Sequence, residues 1–454
     1  MTLSSRLLLL PNELLSAIFE HVPREDCRTP VCRRLLPFYR ARLYSAIAIE
    51  SLLEVERLLR TLESSPFLRT NIFEMKVGLY FDEEALVGLE SDLNPEDRHH
   101  AATLRKLLHH LHRLRELRLF GRARAGILLR KVRRAGESVV RMKTLESISF
   151  FDANDDEFFN LNVLSRLRNF PSLTRLEYYA CSVSLRLPHP VDFAPCDPIT
   201  NIEQVRLVGS DVEILTPPAI AFLEHLSSLR SLTLDLDSFS ISTLDQALRR
   251  IAPSLSSLSI VHYSVNKIAV LSAPPRPLLT ALYRFSRLQH LALADSLIPS
   301  LLQPFFPSLF INFPLLESLS LRINRSDTDL TGIVDCVRCR GGGGSRIGAL
   351  QRLALPNLLT AIEPRWPLGG DPDEDPQYWE ENRHVLTSSV ASVLKQLAQV
   401  AGEVGISLDE SVSEAIKACE VFEEYHAQAK KEYMQKQEEE AGALNLYSIL
   451  SFSG

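Results

Sequence analysis

The segment Leu229-Arg230-Ser231-Leu232-Thr233-Leu234 places leucines at i, i+3 and i+5. Its last two leucines flank Thr233, and that alternation is the period of a short strand with one buried face. The same spacing occurs on the N-terminal side at Leu114-Leu117-Leu119, Leu145-Ile148-Phe150, Leu173-Leu176-Tyr178 and Ile202-Val205-Leu207. Toward the C-terminus it recurs at Leu255-Leu258-Ile260, Leu288-Leu291-Leu293, Leu316-Leu319-Leu321 and Leu350-Leu353-Leu355. Consecutive first positions lie 31, 28, 29, 27, 26, 33, 28 and 34 residues apart. Ile72-Met75-Val77 has the same form and reads as an earlier copy.

A leucine pattern at this period is that of a leucine-rich repeat. Between copies lie helical stretches such as Thr103 to Leu111, Phe158 to Leu167 and Ser242 to Ile251. One strand-plus-helix unit cannot bury its own apolar face, whereas stacked units bury a continuous core. The expected fold is therefore α/β: a leucine-rich-repeat solenoid over residues 49–360, with a parallel sheet on the concave side and helices on the convex side. It would hold roughly nine to ten irregular repeats. In five copies the residue eight after the first apolar position is Cys181, Ser210, Asp237, Ser296 or Asn324, small polar types suited to turns, while Arg122, Ala153, Tyr263 and Leu358 depart from it. Stretches Pro188 to Pro198, Pro274 to Pro277, and Cys336 to Ser345 with its Gly341 to Gly344 run read as loops between repeats.

Ahead of the repeats, Leu10-Pro11-Asn12-Glu13-Leu14-Leu15-Ser16-Ala17-Ile18-Phe19 reads as a short helix stopped by Pro23. Pro11 suits a first helical position, where no backbone donor is needed, and Glu13 complements the positive N-terminal dipole. Leu14, Leu15, Ile18, Phe19 and Val22 form one apolar stripe that a marginal helix must bury on its own bundle, on a partner, or on both. This run, followed by Val31-Cys32-Arg33-Arg34-Leu35, resembles the F-box motif of substrate receptors in Skp–cullin–F-box (SCF) ubiquitin ligases. The resemblance covers about the first tenth of the chain and implies a small all-α module over residues 1–48. It also implies that Leu10, Pro11, Leu14, Leu15, Ile18, Phe19, Val31 and Cys32 bind the adaptor subunit and, through it, cullin. The segment from Pro23 to Val31 is shorter than the family pattern, so the companion helix is expected to be short or missing. Residues 38–68 read as a linker that becomes helical, with Leu52, Leu53, Val55, Leu58, Leu59 and Leu62 on one buried face.

Beyond the repeats, residues 361–380 read as an acidic, proline-broken flexible loop. A helical pair is expected over 381–440, followed by a tail at 441–454. Its first helix would run from about Asn382 to Val404. Its second would open on Ser407-Leu408-Asp409-Glu410 as a capping box, with Val412, Ile416, Cys419 and Phe422 on one side. Such a pair could close the end of a solenoid.

Of the 454 residues, 45% are hydrophobic and 23% charged, enough apolar material for a large core. Leu7 to Leu10 is too short for a signal-peptide core, and no run reaches membrane-spanning length. Together with the odd count of 7 scattered cysteines, this predicts an intracellular chain, cytoplasmic and/or nuclear, with reduced thiols. Charge is uneven. Residues 95–143 carry 14 Lys/Arg against 4 Asp/Glu, and residues 371–440 carry 6 against 17. The two runs either attract each other within the chain or are both solvated surfaces.

Alternate residues of a strand face opposite sides, so those flanking the buried leucines form the concave surface. Phe120, Phe151 and Tyr179 take the outward position in three successive repeats, on strands about 5 Å apart, and predict an aromatic ladder. Arg118, Arg175 and Arg206 neighbour it, and aromatic and arginine side chains are enriched at binding hot spots. These six are the candidate contacts for an unknown protein target. Arg122, Arg124, Arg130, Lys131, Arg133, Arg134, Arg141 and Lys143 come without a nucleic-acid-binding motif, so nucleic acid is not expected as a partner. Cys336-Val337-Arg338-Cys339 lacks a second ligand pair and reads as loop thiols. His99, His100, His109, His110 and His112 read as solvated side chains on a repeat helix. No phosphate-cradling, nucleophile-elbow or zinc-hydrolase motif is present. The sequence thus predicts a non-catalytic binder without metal or cofactor. The resemblance makes it a ligase substrate receptor, with a repeat scaffold uncoupled from any ligase as the alternative.

Overall fold

The computed structural model describes residues 10–23, 26, 32–78, 95–120, 142–151, 167, 170–180, 201–209, 215, 217–236, 241–251, 253–261, 281–294, 313–322, 330–341, 350–356, 358, 389–420 and 431. They belong to two compact units, Met1–Leu255 and Ser256–Gly454. The boundary falls inside the segment read as one solenoid.

The first unit opens with helices α1 (Asn12–Glu20) and α2 (Leu36–Tyr44). Strand β1 (Ala46–Ile49), helix α3 (Leu52–Ser64), strand β2 (Glu74–Val77) and helix α4 (Pro95–His110) follow. The remaining strands are β3 (Glu116–Phe120), β4 (Ser147–Phe151), β5 (Arg175–Ala180), β6 (Gln204–Gly209) and β7 (Ser231–Leu236), with helices α5 (Pro217–Glu224) and α6 (Ile241–Arg250) on either side of β7 in the chain. Each strand from β1 to β7 pairs in parallel with the next. The register aligns the sequence pattern: Met75, Leu117, Ile148, Leu176, Val205 and Leu232 form one continuous row. All six are at most 2% exposed.

The second unit holds β8 (Ser257–Val261), β9 (His290–Ala294), β10 (Ser318–Arg322), helix α7 (Leu330–Gly341), β11 (Arg352–Ala354), helix α8 (Ser389–Val404) and β12 (Ser407–Leu408). These strands also pair in parallel and in chain order. Each unit is thus an α/β, solenoid-like stack, the coarse form that the repeat pattern predicts.

Two devices join neighbouring repeats. The carbonyl one residue after the first leucine accepts two backbone N–H groups of the next repeat: Arg115 O from Glu146 and Ser147, Glu146 O from Thr174 and Arg175, Thr174 O from Glu203 and Gln204. A polar side chain just before the first leucine then donates back to the preceding repeat. Thr144 Oγ1 reaches His112 O and Leu114 O, and Asn201 Nδ2 reaches Phe170 O and Leu173 O, all at 2.9–3.0 Å. Ser172 and Ser254 act likewise on Lys143 O and Leu229 O.

Several expectations need correction. The linker contains a strand: β1 begins the sheet at Ala46, three residues before the repeats were expected to start. Helix α3 buries Val55, Leu59 and Leu62 but leaves Leu53 52% exposed. Ser51 and Glu54 close a capping box that starts this helix at Leu52, and Leu53, two residues before Val55, is then about 200° around the helix from the buried side. Ser407 and Leu408 do not open a helix. They form β12, in register with Arg352 and Leu353, and the helix starts at Glu410. Asp409 sits between, its Oδ1 accepting Leu355 N and Ser411 Oγ. Cys336 and Cys339 lie on α7 rather than in a loop, because Leu330, Ile333, Val334 and Val337 give that segment a buried helical stripe. α7 packs on α8 within the second unit. The eighth-position residues 181, 210, 237, 296 and 324, the helix expected from Phe158 apart from Leu167, the segment 361–380 and the tail 441–454 lie outside the described residues.

Candidate protein-interaction surfaces

The N-terminal helix divides its apolar stripe. Pro11 lies one residue ahead of α1 rather than inside it, with φ −54° and ψ 153°, and its carbonyl accepts the first helical bond from Leu15 N. Glu13 occupies the first turn. Leu15 and Phe19 are 0% and 5% exposed and pack with Leu35 in a small core flanked by Leu10, Val22, Cys32, Phe38 and Tyr39. The Phe19 ring meets Phe38 at 5.9 Å and the edge of Tyr39 at 4.7 Å between centroids. Arg34 Nη2, in the turn before α2, donates to Leu10 O, and Arg42 Nε on α2 donates to Val22 O, so the segments flanking α1 are both tied down. The helix that follows the shortened segment, α2, is short, nine residues long. Leu14 and Ile18 point away and are 51% and 39% exposed. Of the eight residues that the F-box resemblance nominates, Leu15 and Phe19 are core, Leu10 and Cys32 are half-buried, and Pro11, Leu14 and Ile18 are exposed. Val31 lies outside the described residues.

A groove of about 780 Å³ runs between this helical pair and the start of the sheet, lined among others by Phe19, Phe38, Arg42, Phe73, Arg115 and Glu116. Arg115 lies over the Phe73 ring, 5.7 Å from its centroid, and 3.7 Å from Glu146.

The open face of the first unit carries the ladder. Phe120, Phe151 and Tyr179 are in register on β3, β4 and β5. Their rings stack at 4.2 Å in both steps, with interplanar angles of 1° and 11°. Cations cover the two ends: Lys76 Nζ lies 4.6 Å from the Phe120 centroid, and Arg206 Cζ 5.6 Å from that of Tyr179. β2 ends at Val77, opposite Leu119, and the residue after it is Gly78, which has no side chain to stack; Lys76 covers the Phe120 ring instead.

The carboxylates of this face are engaged within it. Glu116 Oε1 accepts Arg118 Nε at 2.6 Å, which holds the Arg118 guanidinium's pKa above its ordinary value. Glu177 Oε2 accepts Ser149 Oγ at 3.0 Å and the Tyr179 hydroxyl at 3.3 Å. Asp235, 3% exposed, lies 3.6 Å from Arg206. Burial, and then the negative charge of Glu177, push the Tyr179 phenol above its ordinary pKa. Arg175 donates to Gln204 Oε1 one row away. The structure therefore brings Arg118, Phe120, Phe151, Tyr179 and Arg206 onto one surface with Arg175 beside it. The sequence reading missed Lys76 and Glu177, although each is the residue before a buried strand position and so outward by alternation.

Among the described residues no group of histidine, cysteine and acidic side chains could hold a metal, and no helix is long and apolar enough to cross a membrane. His99 lies 3.7 Å from Glu56, while burial and nearby Arg69 lower the pKa of His110. His110 is half-buried rather than fully solvated.

No family profile and no curated protein matches the chain. Among solved structures, the chain is similar to a crystal structure of a Bacteroides fragilis protein determined by a structural genomics consortium. The identity is 12% and the TM-score 0.28, over 54% of this chain and 59% of that one. A likeness of that degree carries no argument about fold or function.

Proposed function

We propose that the chain is a non-catalytic substrate-recognition subunit of an SCF-type ubiquitin ligase, of the F-box and leucine-rich-repeat kind. The observation that carries this reading is the divided stripe of α1. Leu15 and Phe19 secure the helix to α2, while Leu14 and Ile18 remain as an exposed apolar pair on a helix already held in place. A monomeric module gains nothing from leaving them in water, whereas an adaptor gains two aliphatic side chains, each worth about 1.5–3 kcal/mol when fully buried. The open face of the first unit then holds the target. Catalysis is by proximity, since holding target lysines near an associated enzyme raises their effective concentration.

Co-purification of the full chain with adaptor and cullin tests the reading. Wild type is expected to retain both, and Leu14→Asp/Ile18→Asp to lose both while keeping its helical content. A wild-type chain that captures no adaptor would leave a repeat scaffold without ligase coupling. Adaptor binding that survives the double substitution would remove α1 as the docking element.

A further inference from the structure

We infer that the outer edge of β1 takes an extended segment of a protein partner as an added strand. The segment it selects carries a basic and an acidic side chain two residues apart, with an apolar one between them. Among the described residues β1 pairs with β2 alone. Ser45 O accepts the Phe73 and Glu74 N–H groups and Ile49 O accepts that of Gly78, so the odd-numbered residues turn their backbone toward β2. By alternation the exposed Ala48 turns its N–H and C=O outward. The Glu50 N–H, two residues on, is already held by Glu54 Oε2 at 2.7 Å, which ends the available edge. An edge of this kind is a template for main-chain pairing, and the side chains beside it supply the specificity.

Those side chains form a step. Ala46 and Ala48 on β1 are short, whereas Glu74 and Lys76 in register on β2, and Glu116 and Arg118 on β3, are long. The step leaves a hollow of about 210 Å³ bounded by the two alanines and these four charges. Its wall is divided by sign, with Glu74 and Glu116 in one row and Lys76 and Arg118 in the next. An added strand would lie about 10 Å from β2, two strand spacings, so a long side chain is needed to cross the alanines. A lysine or arginine beside Ala46 meets the carboxylates, and a glutamate beside Ala48 meets the cations. Glu116 uses one carboxylate oxygen for Arg118 and keeps the other for such a contact. The residue between the two charges faces the opposite side, next to half-buried Ile47, where an apolar side chain extends the core. The two signs balance at the hollow, so it reads the arrangement of charge rather than its sum. A second copy of the chain would set alanines against alanines here and leave both hollows empty.

The inference goes beyond the ligase reading and does not rest on it. Fluorescence anisotropy with the full chain tests it, using a short labelled peptide in which valine alternates with charged residues, lysine and glutamate in turn. Two controls carry lysine at every charged position, or glutamate at every one. The mixed peptide is expected to bind at least about fivefold more tightly than either control, because each control meets repulsion at one end of the hollow. Ala48→Pro removes the outward N–H without touching the bonds to β2 and should weaken the mixed peptide about tenfold. Lys76→Glu, an exposed change, should weaken the mixed peptide and strengthen the all-lysine one, and it decides alone if the proline variant does not fold. A control that binds as tightly as the mixed peptide, no binding of the mixed peptide, or indifference to both substitutions overturns the inference. So does a chain that self-associates in sedimentation and becomes monomeric in Ala48→Pro, since a second copy would then be the occupant. Loss of the mixed-charge preference with adaptor binding intact sinks this inference alone. Absence of adaptor with the preference intact sinks only the ligase reading.

Discussion

At the residue scale, adjacent positions of one apolar stripe perform different tasks. Phe19 and Ile18 are neighbours of similar hydrophobicity, yet one closes the N-terminal core and the other faces solvent. Truncating Phe19 leaves a cavity under Phe38 and Tyr39, whereas a charge at Ile18 costs the isolated chain little. The Tyr179 hydroxyl offers a second handle, because its pKa is raised in the folded protein. Between the ordinary phenolic value near 10 and that raised value, the unfolded chain releases a proton that the folded chain keeps. Stability therefore falls as pH rises through this window. Tyr179→Phe is expected to flatten that part of the curve in urea titrations at successive pH values, and an unchanged slope would count against the shift. The outward placement of Phe120, Phe151 and Tyr179 was legible from strand alternation alone. Their capping by Lys76 and Arg206 was not, because both cations reach diagonally from the next row, and such reach depends on rotamers that a sequence pattern does not specify.

At the scale of elements, repeats are stapled through positions that carry no hydrophobic signal. Asn201 precedes a first-position apolar residue and satisfies two carbonyls of the repeat before it. Asn201→Ala is expected to cost about 1–3 kcal/mol in urea denaturation, since buried carbonyls lose partners. A loss within experimental error would show that water replaces the amide. The signal was present in Thr144, Ser172, Asn201 and Ser254, one residue ahead of their repeats, but it appears only when copies are aligned on the first leucine. Strands β1 and β12 were harder to read. Ala46-Ile47-Ala48-Ile49 and Ser407-Leu408 lack the three-leucine pattern, and each becomes a strand because a neighbouring edge offers it backbone partners. For Ser407, the sheet edge at Arg352 and Leu353 outcompeted a helix start for which the local sequence is equally suited.

At the scale of the molecule, neighbour-only contact governs the response to damage. Leu176→Ala removes a fully buried side chain from the middle row of β5 and is expected to cost about 2–5 kcal/mol. Hydrogen exchange should accelerate most in β4, β5 and β6 and fade toward β1, and uniform acceleration across the first unit would contradict a nearest-neighbour stack. The repeat period, the α/β class, the buried rows and the amphipathic first helix were determined by the sequence itself, since each depends on spacing along the chain and spacing is all that burial periodicity requires. Tertiary structure alone decided which half of the α1 stripe is core, where the sheet begins and ends, that residues 336 and 339 lie on a helix, and that the ladder's faces are closed by cations. Those outcomes depend on what lies opposite in space, and the chain brings such partners together only by folding.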